Sequence, residues 1–223
     1  SEYLTYWDYI HLDTLLSLQT TQTSFPDEKI FITYHQITEL YFKLILHEIE
    51  QISNQKTPDE TFFLERLDRI IRYFHQLESS FDIMTAGMEK EQFLKFRMAL
   101  LPASGFQSAQ YRLIEIGSTD IINLVDQDFK ESLKEMDNPE DLIDHLYWRS
   151  GATELASGEK TLTLKQFEQK YMPLFHQTAL RYKDKNLNAV FRRYFEQSPQ
   201  RDVIIVKLKE FDVHVNVLWR LAH

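Results

Sequence analysis

The chain contains no cysteine. That excludes a disulfide framework, a thiolate nucleophile and any cysteine-ligated zinc or iron–sulfur site, and it fits a reducing cytoplasm. Glycine and proline are scarce, five and six in 223 residues, which leaves little turn chemistry for hairpins. There is no run of 18 apolar residues, and the opening "SEYLTYWDYIHL" lacks the basic start and apolar core of an export signal. The sequence therefore points to neither membrane nor export. Basic side chains are also outnumbered, 25 against 34 acidic ones, for a formal charge of −9. No basic cluster exceeds a pair or so, so the electrostatic footprint of a nucleic-acid partner is missing.

Aromatic side chains are plentiful: 16 Phe, 11 Tyr and 3 Trp in a chain that is 43% hydrophobic. A disordered chain is poor in both classes, and this length suits one globular domain that buries most of its apolar surface unaided. The long windows follow a period of 3.6 rather than 2, so the expected fold class is all-α. A first helix is expected over roughly 3–19, ended by "TTQTS". "FPDEK" opens a second, because Pro26 presets its φ and Asp27 and Glu28 complement the positive helix end; it should run to about Asn54. "TPDE" at 57–60 opens a third, to about Phe81, and a shorter one near 89–100 ends at Pro102. "SGFQ" at 104–107 reads as a capping box for a helix through Glu115. Further helices are expected near 119–136, 139–149, 163–180, 184–196 and from 200 onward, with "SGATELASGEKTLT" as an exposed loop or flap.

On the second helix Phe31, His35, Thr38 and Phe42 share a stripe beside an apolar face of Ile30, Ile37, Leu40, Leu44 and Ile45. From spacing alone, His35 is either a hydrogen-bonded structural histidine or a group facing a ligand. Arg97 follows two phenylalanines in "FLKFR" and is either a solvated arginine or a carboxylate clamp beside an aromatic pocket; Arg112 follows later. His47 has no second histidine four residues on, so the zincin pattern fails, and no pair of Glu-x-x-His segments marks a di-iron bundle. His11, His75, His145, His176 and His214 show no useful partner spacing.

Four stretches, in order, resemble the tryptophan 2,3-dioxygenase family of haem enzymes. They are "YWDYIHLDTLLSLQ" at 6–19, "DEKIFITYHQITELYFKLILHE" at 27–48, "FLKFRMALLPASGFQSAQYRLIE" at 93–115 and "LWRLAH" at 218–223. The resemblance implies a single helical haem-binding domain over 1–223, a bundle of the tryptophan/indoleamine dioxygenase type, assembled as a homotetramer. It implies haem b, with His223 as the iron ligand and Ser104 near the haem edge. It implies a catalytic and substrate-binding His35 that meets the indole N–H, an aromatic pocket of Phe31 and Phe93, and Arg97 on the substrate carboxylate. Tyr6 and Tyr9 match a segment that reaches a neighbouring subunit's site. The implied reaction is cleavage of the indole C2–C3 bond of L-tryptophan with O2 to give N-formylkynurenine.

Tyr41 stands where this family usually has Trp, and Pro26 where a histidine is common. The resemblance also implies a further helix and a Gly-Thr-Gly-Gly-type loop after His223, so a C-terminal tail is expected. Two other readings fit the residues: a related haem oxygenase or peroxygenase acting on a modified tryptophan or another aromatic amino acid, and a non-catalytic helical scaffold that binds haem or an aromatic ligand.

Overall fold

The computed structural model describes residues 3–100, 107–136, 138–150 and 160–222. In chain order its helices are α1 Tyr6–Tyr9, α2 Leu12–Leu16, α3 Asp27–Asn54, α4 Glu60–Ser80, α5 Asp82–Thr85, α6 Lys90–Leu100 and α7 Ala109–Ser118. There follow α8 Gln127–Leu133, α9 Pro139–Leu142, α10 Tyr147–Ser150, α11 Leu162–Tyr182, α12 Leu187–Tyr194 and α13 Arg201–Ala222. Short 3₁₀ turns at Ile121–Leu124 and Ile143–His145 connect some of them. The described residues form no β-strand; an isolated antiparallel bridge joins Val125 and Leu146. The chain is all-α, as its periodicity indicates.

Three long boundaries fall where the local signals put them: α3 begins at Asp27, α4 ends at Ser80 and α6 ends at Leu100. Several expectations are corrected. The helices expected near 119–136 and 139–149 are each interrupted: Thr119 and Asp120 are extended ahead of the 3₁₀ turn and α8, and the second 3₁₀ turn separates α9 from α10. The first helix is broken at His11, whose φ of 50° is left-handed backbone, so α1 and α2 replace one continuous helix. The cap of α7 is Ser108, whose hydroxyl accepts from the Tyr111 amide at 3.2 Å; Ser104, where the capping box was expected to begin, lies outside the described residues, as does most of the proposed flap.

The chain divides into two compact units. One comprises Ser1–Thr38 and Ser80–Pro102. Its joints are the two acids that open α3. Asp27 Oδ2 accepts the Glu89 amide at 2.6 Å, just ahead of α6, while the Asp27 amide donates to Gln92 Oε1 at 3.4 Å. Glu28 has no exposed surface, and its carboxylate accepts from the amides of Gln22 (2.6 Å) and Thr23 (2.7 Å) and from the Thr23 hydroxyl. Burial pushes the Glu28 carboxyl up, but those hydrogen bonds outweigh it and hold the group below its ordinary value.

The other unit comprises Glu39–Ser79 and Ala103–His223. Phe42, Ile45, Ile49 and Ile52 recur at helical spacing on α3 and pack with Phe63, Leu67, Ile70, Phe74 and Leu77 of α4. Leu40 and Leu44, expected on the apolar face, are 48% and 43% exposed, because the buried stripe of α3 is rotated onto Ile45 and Ile49. In the first unit Ile37, from the same expected face, is likewise exposed. Gly117 of α7 lets Ile49 approach closely; a Cβ there would lie 2.9 Å from its Cγ2. Glu48, nearly buried, is held by Arg66 at 3.3 Å and Arg69 at 3.5 Å and accepts from the Tyr73 hydroxyl at 3.4 Å. A second core gathers Leu142, Ile143, Trp148, Leu164, Phe167 and Phe175 beneath α11.

Candidate functional site

In the first unit three phenylalanines and a histidine come together. Phe31 lies one turn before His35, and their ring centroids are 4.1 Å apart at a 37° tilt. Phe93 and Phe96 are neighbours at i,i+3 on α6, at 6.2 Å and 5.7 Å from Phe31 and 5.6 Å from each other, edge to face. The Asp27–Glu89 bond fixes the start of α6 beside the start of α3, which sets this meeting of rings. Phe96, the second of the two phenylalanines that precede Arg97 in the sequence, is fully buried beneath the group; the family resemblance assigned it no role.

His35 is exposed rather than packed into a core. Its Nδ1 lies 2.8 Å from the Phe31 carbonyl oxygen. A carbonyl only accepts, so Nδ1 carries a proton, and in the neutral tautomer Nε2 is left as an acceptor. Arg97, in the last turn of α6, is exposed with its guanidinium 5.8 Å from the Phe93 ring centroid. Among the described residues no carboxylate pairs with it. The unit thus brings together an imidazole, an aromatic wall and a cation that has no carboxylate partner among the described residues. Tyr6 and Tyr9, on α1, are 70% and 71% exposed. Ser104 and His223 lie outside the described residues.

The second unit holds a charged network that the sequence did not announce. Arg112 is 1% exposed; its Nη1 donates to Glu115 Oε2 at 2.9 Å and to the Tyr147 hydroxyl at 3.0 Å, and that hydroxyl donates to Glu115 Oε1 at 2.5 Å. The Trp219 ring lies 4.9 Å from the guanidinium. Burial alone would lower the Arg112 guanidinium, but Glu115 and Tyr147 outweigh it; burial, then Glu115, push the Tyr147 and Tyr111 hydroxyls up. Arg112 Nε and Nη2 have no hydrogen-bond partner among the described residues. A cavity of about 590 Å³ lies alongside, lined by Tyr111, Glu115, Tyr147, Phe211 and Trp219 among others. Arg112, read from sequence only as following Arg97, is one of the largest fully buried side chains.

By architecture and site this is an all-helical protein presenting an imidazole, a cluster of three phenylalanines and an exposed guanidinium. The chain matches the family model described as tryptophan 2,3-dioxygenase over residues 1–166. It is similar to the tryptophan 2,3-dioxygenases of Ruegeria sp. (strain TM1040), 42% identical over 113 residues, 50% of this chain and 40% of the relative. That of Sorangium cellulosum (strain So ce56) is 38% identical over 150 residues, 60% of this chain and 36% of the relative. That of Bacillus anthracis is 42% identical over 118 residues, 51% and 41%. The chain belongs to the tryptophan 2,3-dioxygenase family. It spans about two fifths of the length of the curated relatives it matches.

Proposed function

We propose that this chain is the helical haem-binding domain of a dioxygenase that opens the indole ring of L-tryptophan between C2 and C3 with O2, giving N-formylkynurenine. The observation that carries the reading is the 2.8 Å contact of His35 Nδ1 with the Phe31 carbonyl, which leaves Nε2 of the neutral ring to accept beside an aromatic wall. An indole N–H is a donor on a flat apolar ring, the complement of that arrangement.

In this reading the indole N–H donates to His35 Nε2, Phe31 and Phe93 hold the ring plane and keep water from it, and Arg97 takes the carboxylate. These contacts would fix which edge of the indole meets oxygen, and orientation is one of the contributions a protein makes to cofactor chemistry. The donor set suits haem b: the chain has no thiolate, so imidazole is the strong neutral donor it can offer iron. By the family resemblance, His223 would hold the haem iron and Ser104 would help to hold the haem. Bound haem supplies the activation of O2 that closed-shell indole needs.

The reading extends to assembly. Leu4, Tyr6, Trp7 and Tyr9 expose 72%, 70%, 56% and 71% of their surface, an apolar stretch suited to docking on a second copy of the chain in a homotetramer. No helix among the described residues is long and apolar enough to cross a membrane, and the proposed setting is the cytoplasm.

The test is an absorption spectrum of the protein with added haem, before and after reduction and tryptophan, followed by product analysis. A Soret band that responds to tryptophan, with N-formylkynurenine formed under O2, supports the reading. A Soret band with a singly oxygenated product would favour the oxygenase alternative, and no band at all the scaffold.

A further inference from the structure

The second unit brings together two histidines that share no sequence spacing. His75, on α4, and His214, on α13, have ring centroids 4.3 Å apart at 71°. Glu78, one turn beyond His75, lies 2.7 Å from His214 Nδ1. Glu210, one turn before His214, lies 3.8 Å from His75 Nε2. Each helix thus contributes one histidine and one carboxylate, in reciprocal order.

We propose that His75, Glu78 and His214, with Glu210 as a fourth donor, form a binding site for a divalent transition metal of the zinc class that clips α4 to α13. One donor atom from each of the first three lies within 4.8 Å of the others. Donors around a tetrahedral zinc sit about 3.3 Å apart, given bonds of about 2.0–2.1 Å, so closure requires a shift of about 1.5 Å.

The burial pattern supplies that shift on one side only. His214 is buried and stacked 8° from parallel with Phe74, and its Nδ1 lies 2.7 Å from Glu78 Oε1, so these two donors are already close; a metal between them displaces the proton they share. His75 is exposed and can swing by a change of rotamer. Two imidazoles with carboxylate oxygens suit zinc, cobalt or nickel; calcium and magnesium take oxygen ligands. The neighbouring charges are Lys207 and Asp68. Lys207 Nζ bonds Asp68 at 2.9 Å and Glu210 Oε2 at 3.2 Å, which leaves Glu210 Oε1, the atom facing His75, for a metal.

The full-length protein, carrying whatever haem it binds, is dialysed against micromolar zinc chloride, and zinc per chain is measured by elemental analysis alongside the thermal midpoint. One zinc per chain and a midpoint that rises with zinc and falls back with chelator are expected. His75→Ala, which removes an exposed side chain and leaves the core intact, should lower zinc affinity about tenfold or more and abolish the rise. His47→Ala, at another exposed histidine, should keep both. The proposal is overturned if wild-type protein takes up no stoichiometric zinc, or if His75→Ala retains it in full.

Discussion

His35 Nδ1 lies 2.8 Å from the carbonyl oxygen of Phe31, one turn earlier on the same helix. That bond places a proton on Nδ1, so in the neutral tautomer Nε2 is the atom left to accept. Phe31 thus contributes a ring to the aromatic wall and, through its backbone carbonyl, the bond that orients His35 beside it.

If Nε2 receives the indole N–H, the preference for tryptophan over 1-methyltryptophan should depend on His35. Replacing His35 with Ala removes one net hydrogen bond, about 0.5–1.5 kcal/mol, and should shrink the difference between the two ligands while haem stays bound. Binding titrations with both ligands on both proteins form the check. A discrimination that survives in His35→Ala would place the N–H contact elsewhere.

Arg97 carries no internal ion pair among the described residues, so its removal should affect ligand binding and leave folding largely unchanged. Arg97→Leu is expected to weaken L-tryptophan by about 2–5 kcal/mol if the pair is desolvated, and tryptamine, which lacks the carboxylate, far less. Equal losses for both ligands, measured side by side, would contradict the clamp.

Glu28 should make the protein acid-sensitive. Its folded carboxyl is held below its ordinary 4.5, so it stabilises the fold fully above that pH and loses the contribution as pH falls through the folded value. Chemical denaturation of wild type and Glu28→Gln should therefore differ most at neutral pH and converge in acid. A gap that is constant from neutral to acidic pH would mean that the charge of Glu28 is not what matters.

Arg112 and Glu115 are a buried pair, and breaking one side leaves the other charged and unmatched. Arg112→Met alone should cost about 3–5 kcal/mol, and the double change with Glu115→Leu should cost much less than the sum of the two single changes. Additive losses in unfolding experiments would show that the pair does not act as a unit.

Much of the helical outline was legible because its signals are local. Pro26 with Asp27 and Glu28 starts α3, and Pro102 follows the end of α6, all through effects that reach no further than one turn. The motif residues Phe31, His35, Phe93 and Arg97 were likewise readable as a set, through resemblance. The break at His11 was not, since a left-handed histidine leaves no mark in a composition that otherwise favours helix.

The sequence by itself determined the all-α class, the main helix boundaries and family membership, because periodicity, caps and ordered motifs are written in short stretches of chain. Only the tertiary structure decided that Asp27 ties down the residue before α6, that Arg112 is buried against Trp219, and that His75 meets His214. Each of those joins residues dozens of positions apart or more. Their meeting depends on how whole helices pack, and helix packing follows from the summed fit of many side chains, which no local spacing records.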